Sequence, residues 1–200
     1  VESVSDNNIK AANKAGYVGD VVVPATVSYQ NIEFTVDGVT AQAFMGAEEM
    51  TSIKFNCALT TIPERAMFSC KKLATVEIPS TVTHNDTTYT VTSIGTGAFR
   101  GCVNLQTVVI PNTVTSIDYN AFTNCNSLQS VDIPSTVTSI GDNAFLACGS
   151  LSSVTIGESV TFIGSSAFSG CNSLVNITLP NSVTTIEDAA FKDCENLQTV

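Results

Sequence analysis

The side chains in this chain best suited to chemistry are its seven cysteines and its single histidine. Six of the cysteines occupy one position of an internal repeat, and from the second of them onward they are spaced 23 residues apart. These six are Cys70, Cys102, Cys125, Cys148, Cys171 and Cys194. The Cα atoms of stacked neighbours could lie within the ~4.4–6.8 Å range of a disulfide, but side chains that point the same way are wrong for its torsion. We therefore expect a ladder of small, buried, free thiols.

The remaining cysteine and the histidine offer little catalytic potential. Cys57 falls in the repeat slot of Ser135 and Glu158, which we expect to be a turn, so it is the cysteine expected to be most reactive. His84 stands in a polar stretch with no cysteine or second histidine nearby, so it is expected to be solvated. No nucleophile elbow, metalloprotease, phosphate-binding or calcium-loop motif occurs. We therefore expect no enzymatic activity, no cofactor and no metal.

The charge balance excludes several classes of partner. The chain has 18 acidic and 8 basic residues, for a net charge of −10, and no basic residue occurs between Arg100 and Lys192. Nucleic acids and anionic membrane surfaces require clustered Lys and Arg. No apolar run approaches the roughly 18 residues of a membrane span. We expect neither nucleic-acid binding nor direct membrane insertion.

Self-similarity decides the architecture. Four consecutive copies, from residue 108 onward, share the frame V-x-I-P-x-x-V-T-x-I-G-x-x-A-F-x-x-C-x-x-L-x-x. Residues 53–75 are a degenerate copy of the same length. Residues 21–52 and 76–107 are longer copies, each with an insertion of nine residues at the same place. We predict an N-terminal segment or partial cap over 1–20 and a single repeat domain over 21–200. Its seven units are 21–52, 53–75, 76–107, 108–130, 131–153, 154–176 and 177–199.

Each unit predicts a small set of elements. Leu151, Val154 and Ile156 alternate as the buried side of a strand does, and a proline such as Pro134 ends that strand because it cannot donate to a ladder. The V-T-x-I segment at 137–140 predicts a second extended stretch. One unit cannot bury its apolar positions alone, so identical positions must stack coil upon coil.

The rest of the unit predicts a turn region and two insertions. The A-F-x-x-C segment at 144–148 fits one or two turns of short helix. The insertions, at 27–36 and 82–91, alternate apolar and polar residues around a polar tip, which predicts two β-hairpins. Lying two coils apart, about 10 Å, these hairpins could pack side by side.

The repeat frame resembles the leucine-rich repeat family, and specifically its BspA-like branch. That resemblance covers about nine-tenths of the chain and implies a right-handed solenoid with a parallel β-sheet on the concave face and short helical or 3-10 turns on the convex side. It also implies a secreted or surface-attached bacterial protein with a role in adhesion. Asn56 and Gly157 in place of the proline, Met67 in place of the aromatic residue and Ala47 in place of the cysteine depart from the frame.

Candidate binding residues fall into two groups. The hairpins offer Tyr29, Asn31, His84, Asn85, Asp86 and Tyr89, because loops on rigid scaffolds often carry function. The outward row of the predicted sheet offers Lys54, Glu77, Asp132, Thr155 and Thr178. Each group has a structural alternative: Thr suits any solvated pleated surface, and the hairpins could simply cover an edge.

Two functions remain open for this architecture. The first is a non-enzymatic extracellular or cell-surface interaction module that adheres to a host protein or glycan. The second is a rigid spacer that presents another domain and has no ligand of its own. The array stops at 199–200 without a polar capping unit, so we also expect either a chain that continues or an end that associates with another molecule.

Overall fold

A computed structural model describes residues 16–84 and 86–199 as a stack of coils built on parallel β-sheets. The main sheet has six strands. In spatial order they are β1 (Gly19–Val23), β4 (Met50–Phe55), β6 (Thr75–Glu77), β10 (Thr107–Val109), β12 (Ser130–Ile133) and β14 (Ser153–Ile156). Equivalent repeat positions pair, so Val131 lies beside Val154. A parallel bridge between Asn176 and Thr199 continues the same pattern into the last coil.

A second parallel sheet contains the V-T-x-I segments, one short strand from each of six coils. In spatial order its strands are β5 (Thr61–Ile62), β9 (Ser93–Ile94), β11 (Ser116–Ile117), β13 (Ser139–Ile140), β15 (Phe162–Ile163) and β16 (Thr185–Ile186). Val137 and Ile140 are fully buried, as the pattern predicts. The two sheets form two sides of each coil and enclose the core between them.

The insertions of units one and three form β-hairpins, as predicted. The first pairs β2 (Thr26–Tyr29) with β3 (Ile32–Thr35), and the second pairs β7 (Thr81–His84) with β8 (Thr87–Thr90), both antiparallel. Backbone hydrogen bonds close their bases, at 2.8 Å from Val36 N to Ala25 O and 3.0 Å from Val91 N to Ser80 O. Each hairpin therefore leaves the coil at the corner that follows a main-sheet strand.

Turns rather than helices form the remaining side of each coil, and the described part of the chain contains no α-helix. In the coil at 131–153, every second N–H, at Asn143, Phe145 and Ala147, donates to a carbonyl of the next coil at 2.8 Å. The N–H groups between them donate to the carbonyl three residues earlier in the same coil. An α-helix would direct all of these donors to its own chain, so bonding between coils replaces the helix that the A-F-x-x-C spacing predicts.

These turns require left-handed backbone at two positions of every coil, with φ between 49° and 76°. The first column of such residues is Gln42, Arg65, Gly97, Asn120, Asn143, Ser166 and Ala189. The second is Gly46, Ser69, Gly101, Asn124, Ala147, Gly170 and Asp193. Most members are Gly, Asn, Asp or small residues, which is consistent with the steric cost of this region for larger side chains.

The core is a set of stacked columns, of which the aromatic column is the most regular. Five phenyl rings lie nearly parallel with centroids 5.2–5.6 Å apart. They belong to Phe99, Phe122, Phe145, Phe168 and Phe191. Met67 fills the equivalent position of unit two and is fully buried, whereas Phe44 of unit one meets Tyr17 edge-on at 4.9 Å. The Tyr17 ring thus covers part of the N-terminal end of the core.

Candidate functional site

The outward row of the main sheet is open to solvent, as the alternation of its strands predicts. All five sheet candidates are exposed: Lys54, Glu77, Asp132, Thr155 and Thr178. Two pairs of them lie in register on neighbouring strands, because Lys54 pairs with Glu77 and Asp132 with Thr155. The candidates therefore share one surface, which continues for the length of the sheet.

Two of the three charged candidates of this surface, Lys54 and Glu77, neutralise each other. Lys54 Nζ donates to both carboxylate oxygens of Glu77 at 3.1 Å, and both side chains are more than half exposed. An exposed pair of this kind adds little stability and can be separated by a competing ligand.

Asp20 belongs to the same surface, although the sequence did not single it out. Its Oδ1 accepts hydrogen bonds from Ser52 Oγ at 2.6 Å and from Thr51 Oγ1 at 3.1 Å. These bonds hold the pKa of the Asp20 carboxyl below its ordinary value. Asp20 falls at the end of the segment predicted over 1–20, but β1 begins at Gly19, so the exposed Asp20 side chain extends the sheet surface.

A shallow cavity of about 400 Å³ lies over the first strands of this surface, where Asp20, Ser52, Lys54, Thr75 and Glu77 line it together with valine and isoleucine side chains. It therefore offers hydroxyl and charged groups around a small apolar floor. Two of the sheet candidates, Lys54 and Glu77, thus share this cavity with the Asp20 carboxylate.

Backbone geometry at the hairpin tips explains why some of the candidate positions carry Asn or Asp. Gln30 and Asn31 both have positive φ, at 50° and 63°, as a two-residue hairpin turn demands. Asp86 also has positive φ, at 58°. Asn and Asp tolerate this region better than most residues, so turn geometry is sufficient to account for Asn31 and Asp86. Asn85 lies outside the described residues, as do the side chains of Tyr29 and His84.

The two hairpins do not pack against each other backbone to backbone. No Cα of β2 or β3 comes within 8 Å of a Cα of β7 or β8. Tyr89 is half-buried, whereas Ile32 near the tip of the first hairpin is 58% exposed. The strands of the two hairpins therefore do not pair, since unit two separates their bases, and packing of their side chains across about 10 Å stays a prediction.

The ladder cysteines are free and serve the core. Five of the six are fully buried, and Cys194 in the last coil is half-buried. Each thiol lies 3.1–3.4 Å from a main-chain carbonyl of the preceding coil, as Cys148 does with Phe122 O at 3.2 Å. Burial raises the pKa of the Cys70 thiol to about 11 and that of Cys148 to about 12. Such thiols are poor nucleophiles at neutral pH.

The prediction that Cys57 is the most reactive thiol is wrong. Cys57 is fully buried, and desolvation raises its pKa. Its equivalents Ser135 and Glu158 are exposed, as expected of a turn, and the coils on either side of theirs carry no hairpins. Unit two lies between two coils whose hairpins leave at this same corner, so its corner is flanked on both sides.

The described residues form neither a metal site nor a membrane-spanning helix. Within residues 16–84 and 86–199, no three His, Cys, Asp or Glu side chains come together as a metal site would require. In the same part of the chain, no helix has the length and apolar character needed to cross a membrane.

Comparison with known proteins agrees with this geometry. The family model of the BspA type leucine rich repeat region matches residues 4–89 and 82–198, with six copies. The chain is 33% identical to a leucine-rich repeat protein from Bacteroides ovatus ATCC 8483, with a TM-score of 0.80, over 90% of this chain and 44% of that one. Among curated proteins, no similar sequence is found.

Two further solved structures are similar. A leucine rich cell surface protein from Faecalibacterium prausnitzii A2-165 is 32% identical, with a TM-score of 0.76, over 92% of this chain and 47% of that one. A leucine-rich repeat protein from T. pallidum is 27% identical, with a TM-score of 0.60, over 90% of this chain and 67% of that one. The chain thus spans less than half the length of the Bacteroides and Faecalibacterium proteins. Solenoids of this kind present extended surfaces and act as interaction modules, and this chain belongs to the BspA-type leucine-rich repeat family.

Proposed function

We propose that this chain is the non-enzymatic binding region of a secreted or cell-surface bacterial protein, which adheres to a host protein or glycan. The hairpins and the outward row of the main sheet are the proposed contact surfaces. The observation that carries the proposal is that the repeated core positions are buried in coils that have no hairpin. The coils at 131–153 and 154–176 lack them and bury the same core positions.

Each hairpin rests on a rigid base. The residues on either side of it are joined by a backbone hydrogen bond, and near its tip one hairpin exposes Ile32 and the other exposes Asp86. A loop on such a scaffold is ordered before it meets a ligand, so binding loses less conformational entropy. A surface location is supported by the similarity to a protein described as a leucine rich cell surface protein.

Removing the hairpins tests the proposal. Hairpin-free coils have a single residue, Thr136, between Ser135 and Val137. Replacing residues 26–35 and 81–90 by one Thr each would therefore recreate an ordinary coil, at the cost of the core contacts of Val27 and the burial of Val82. The intact chain is screened against immobilised extracellular-matrix proteins and a glycan array, and any ligand found is titrated against both forms. We expect the hairpin-free form to bind at least tenfold more weakly.

Matched sheet variants complete the test. Asp132→Lys and Thr155→Lys change the outward row without touching the core, because both side chains are exposed. If the ligand bound equally well to the hairpin-free form and to both sheet variants, neither proposed surface would be the binding surface. Thermal unfolding of each form verifies that the coils remain folded.

The alternative is a rigid spacer that holds another domain away from the cell. One observation favours it. Lys54 and Glu77 on the main sheet form an ion pair with each other, so these charges have a partner without any ligand. A spacer depends on length alone. If deleting the coil at 131–153 altered whole-protein adhesion while removal of both hairpins left it unchanged, the spacer function would be the correct one.

A further inference from the structure

The turn side of the first three coils carries a second candidate surface, away from the main sheet and from the hairpins. A shallow cavity of about 220 Å³ is lined there by Gln42, Met45, Arg65, Phe68 and Arg100. Two of the few cations of the chain meet at this one place, although the net charge is −10. The cavity therefore combines two guanidinium groups and an amide with the apolar edge of a methionine and a phenylalanine.

The Arg100 side chain is held in place without an acidic partner. Its guanidinium carbon lies 5.6 Å from the centroid of the Phe68 ring, a cation–π arrangement. Lys54, Lys71 and Lys72 each form an ion pair at 3.1 Å or less, whereas Arg100 forms none with any residue that the structure describes. Its donors are thus oriented by the ring and remain available.

The backbone beneath Gln42 and Arg65 supplies an independent observation. Both residues occupy the first left-handed column, with φ of 61° and 49°. The other five coils place Gly97, Asn120, Asn143, Ser166 and Ala189 there, none of which has a long side chain. Every coil has this backbone, but only units one and two place a long side chain on it, where the steric cost is higher than for Gly or Asn. The two long side chains of this column, Gln42 and Arg65, both line the same cavity. We infer that they extend into the cavity to contact a ligand.

We propose that this cavity, defined as the arginine site, binds a carboxylate of an acidic peptide segment in a partner protein. Arg100 donates in parallel to both carboxylate oxygens, as guanidinium groups do, and Arg65 and the Gln42 amide donate from the neighbouring coils. Met45 and the Phe68 edge pack against the aliphatic stem of the acidic side chain.

The surroundings of the two arginines favour a peptide carboxylate over an acidic sugar. Sugar-binding sites commonly present an aromatic face, but the Phe68 ring already has Arg100 over it. Glu64 lies 3.6 Å from Arg65 Nε, and both side chains are about half exposed. Such an exposed ion pair is weak. A ligand carboxylate can therefore bind Arg65 beside Glu64 or in place of it.

Fluorescence anisotropy with a fluorescein-labelled hexaglutamate peptide, at low ionic strength, tests the arginine site. Hexaglutamine carrying the same label is the control probe. We expect Arg100→Gln to weaken hexaglutamate binding about tenfold. Lys192→Gln is the matched control, because Lys192 occupies the same repeat position as Arg100 in the last coil. We expect this control to bind as the unmodified chain does.

A second variant separates binding from folding. Arg65→Gly relieves the left-handed backbone at this position, so we expect an unchanged or higher Tm together with severalfold weaker binding of hexaglutamate. A residue with a merely structural role would not give that combination. The proposal is overturned if hexaglutamate binds no better than hexaglutamine, if Arg100→Gln and Lys192→Gln weaken binding equally, or if oligogalacturonate binds while hexaglutamate does not.

Discussion

At the scale of single residues, the cysteine position combines small volume with a hydrogen-bond donor. Phe122 O, for example, accepts from Cys125 N in its own coil and from the Cys148 thiol of the next coil, at 3.1 and 3.2 Å. A buried carbonyl has two lone pairs, and the thiol reaches the second one. Alanine at this position, as at Ala47 in unit one, keeps the packing but not this bond.

The buried thiols make the fold sensitive to alkaline pH. Thiols in the unfolded chain titrate near pH 8.5, whereas burial raises the pKa of Cys70 to about 11 and that of Cys148 to about 12. The native state therefore retains protons that the unfolded state releases. The contribution of these thiols to the free energy of unfolding is fully present below about pH 8. It is lost as pH rises above about 8.5, by up to ~1.4 kcal/mol per pH unit for each shifted thiol.

Urea unfolding at pH 7, 8, 9 and 10 under reducing conditions measures this effect. Cys148→Ala removes one of the titrating groups. We expect this variant to be less stable than the unmodified chain at pH 7, by about 1–3 kcal/mol, but to lose less stability between pH 8 and 10. Equal losses in the two proteins over that pH range would contradict the account.

At the scale of elements, the sequence predicted what depends on local alternation and missed what depends on contacts between coils. Both sheets and both hairpins follow from patterns that one unit contains. The turn side does not, because the A-F-x-x-C spacing suits a helix as well as it suits turns. The segment forms turns because the N–H groups of Asn143, Phe145 and Ala147 donate to carbonyls of the following coil. These bonds can form only when that following coil is present.

The same limit applies to the candidate surfaces. The exposed row of the main sheet could be predicted residue by residue, since strand alternation alone places it. The arginine site could not, because Arg65 and Arg100 are separated by a hairpin in the sequence and become neighbours only when coils stack. The prediction for Cys57 was wrong for a similar reason: one repeat unit does not show which side chains become buried when the coils stack.

Close approach of successive turns gives a matched pair of glycine variants. A Cβ atom at Gly164 would lie 2.5 Å from the backbone nitrogen of Asp142 in the preceding coil, whereas a Cβ at Gly149 would meet nothing within 4 Å. Since the clash is with backbone, relief requires the coils to move apart. We expect Gly164→Ala to destabilise the protein by about 1–3 kcal/mol, and Gly149→Ala to change stability by less than about 0.5 kcal/mol.

The measurement is urea unfolding of the two variants alongside the unmodified chain. Equal stability of Gly164→Ala and Gly149→Ala would mean that the coils do not approach as closely as the structure describes.

At the scale of the whole molecule, the coil at 177–199 leaves apolar side chains more open than its predecessors do. Leu179, Val183 and Leu197 are half-buried, whereas their equivalents in the preceding coil are buried. Ile186 is 46% exposed, compared with complete burial of Ile163 one coil earlier. This coil therefore presents an apolar face to which another apolar surface can stack.

We expect the 200-residue chain to self-associate through this face as its concentration rises. Light scattering over a range of concentrations measures the mass. Ile186→Glu places a charge on the face and is expected to keep the chain monomeric, whereas Val109→Glu, at an exposed main-sheet position, is the control and should not. A clean monomer of the unmodified chain at high concentration would refute association through this end.

The equivalence of contacts between successive coils also has a genetic consequence. In the array from residue 108 onward, each junction brings the same positions together: phenylalanine on phenylalanine, and a thiol on the carbonyl before it. Unequal recombination between two repeats of the gene would add or remove one whole coil and leave every remaining junction as it was. The reach of such a protein can therefore evolve in single-repeat steps, while the hairpins and the arginine site of the first three coils are carried along unchanged.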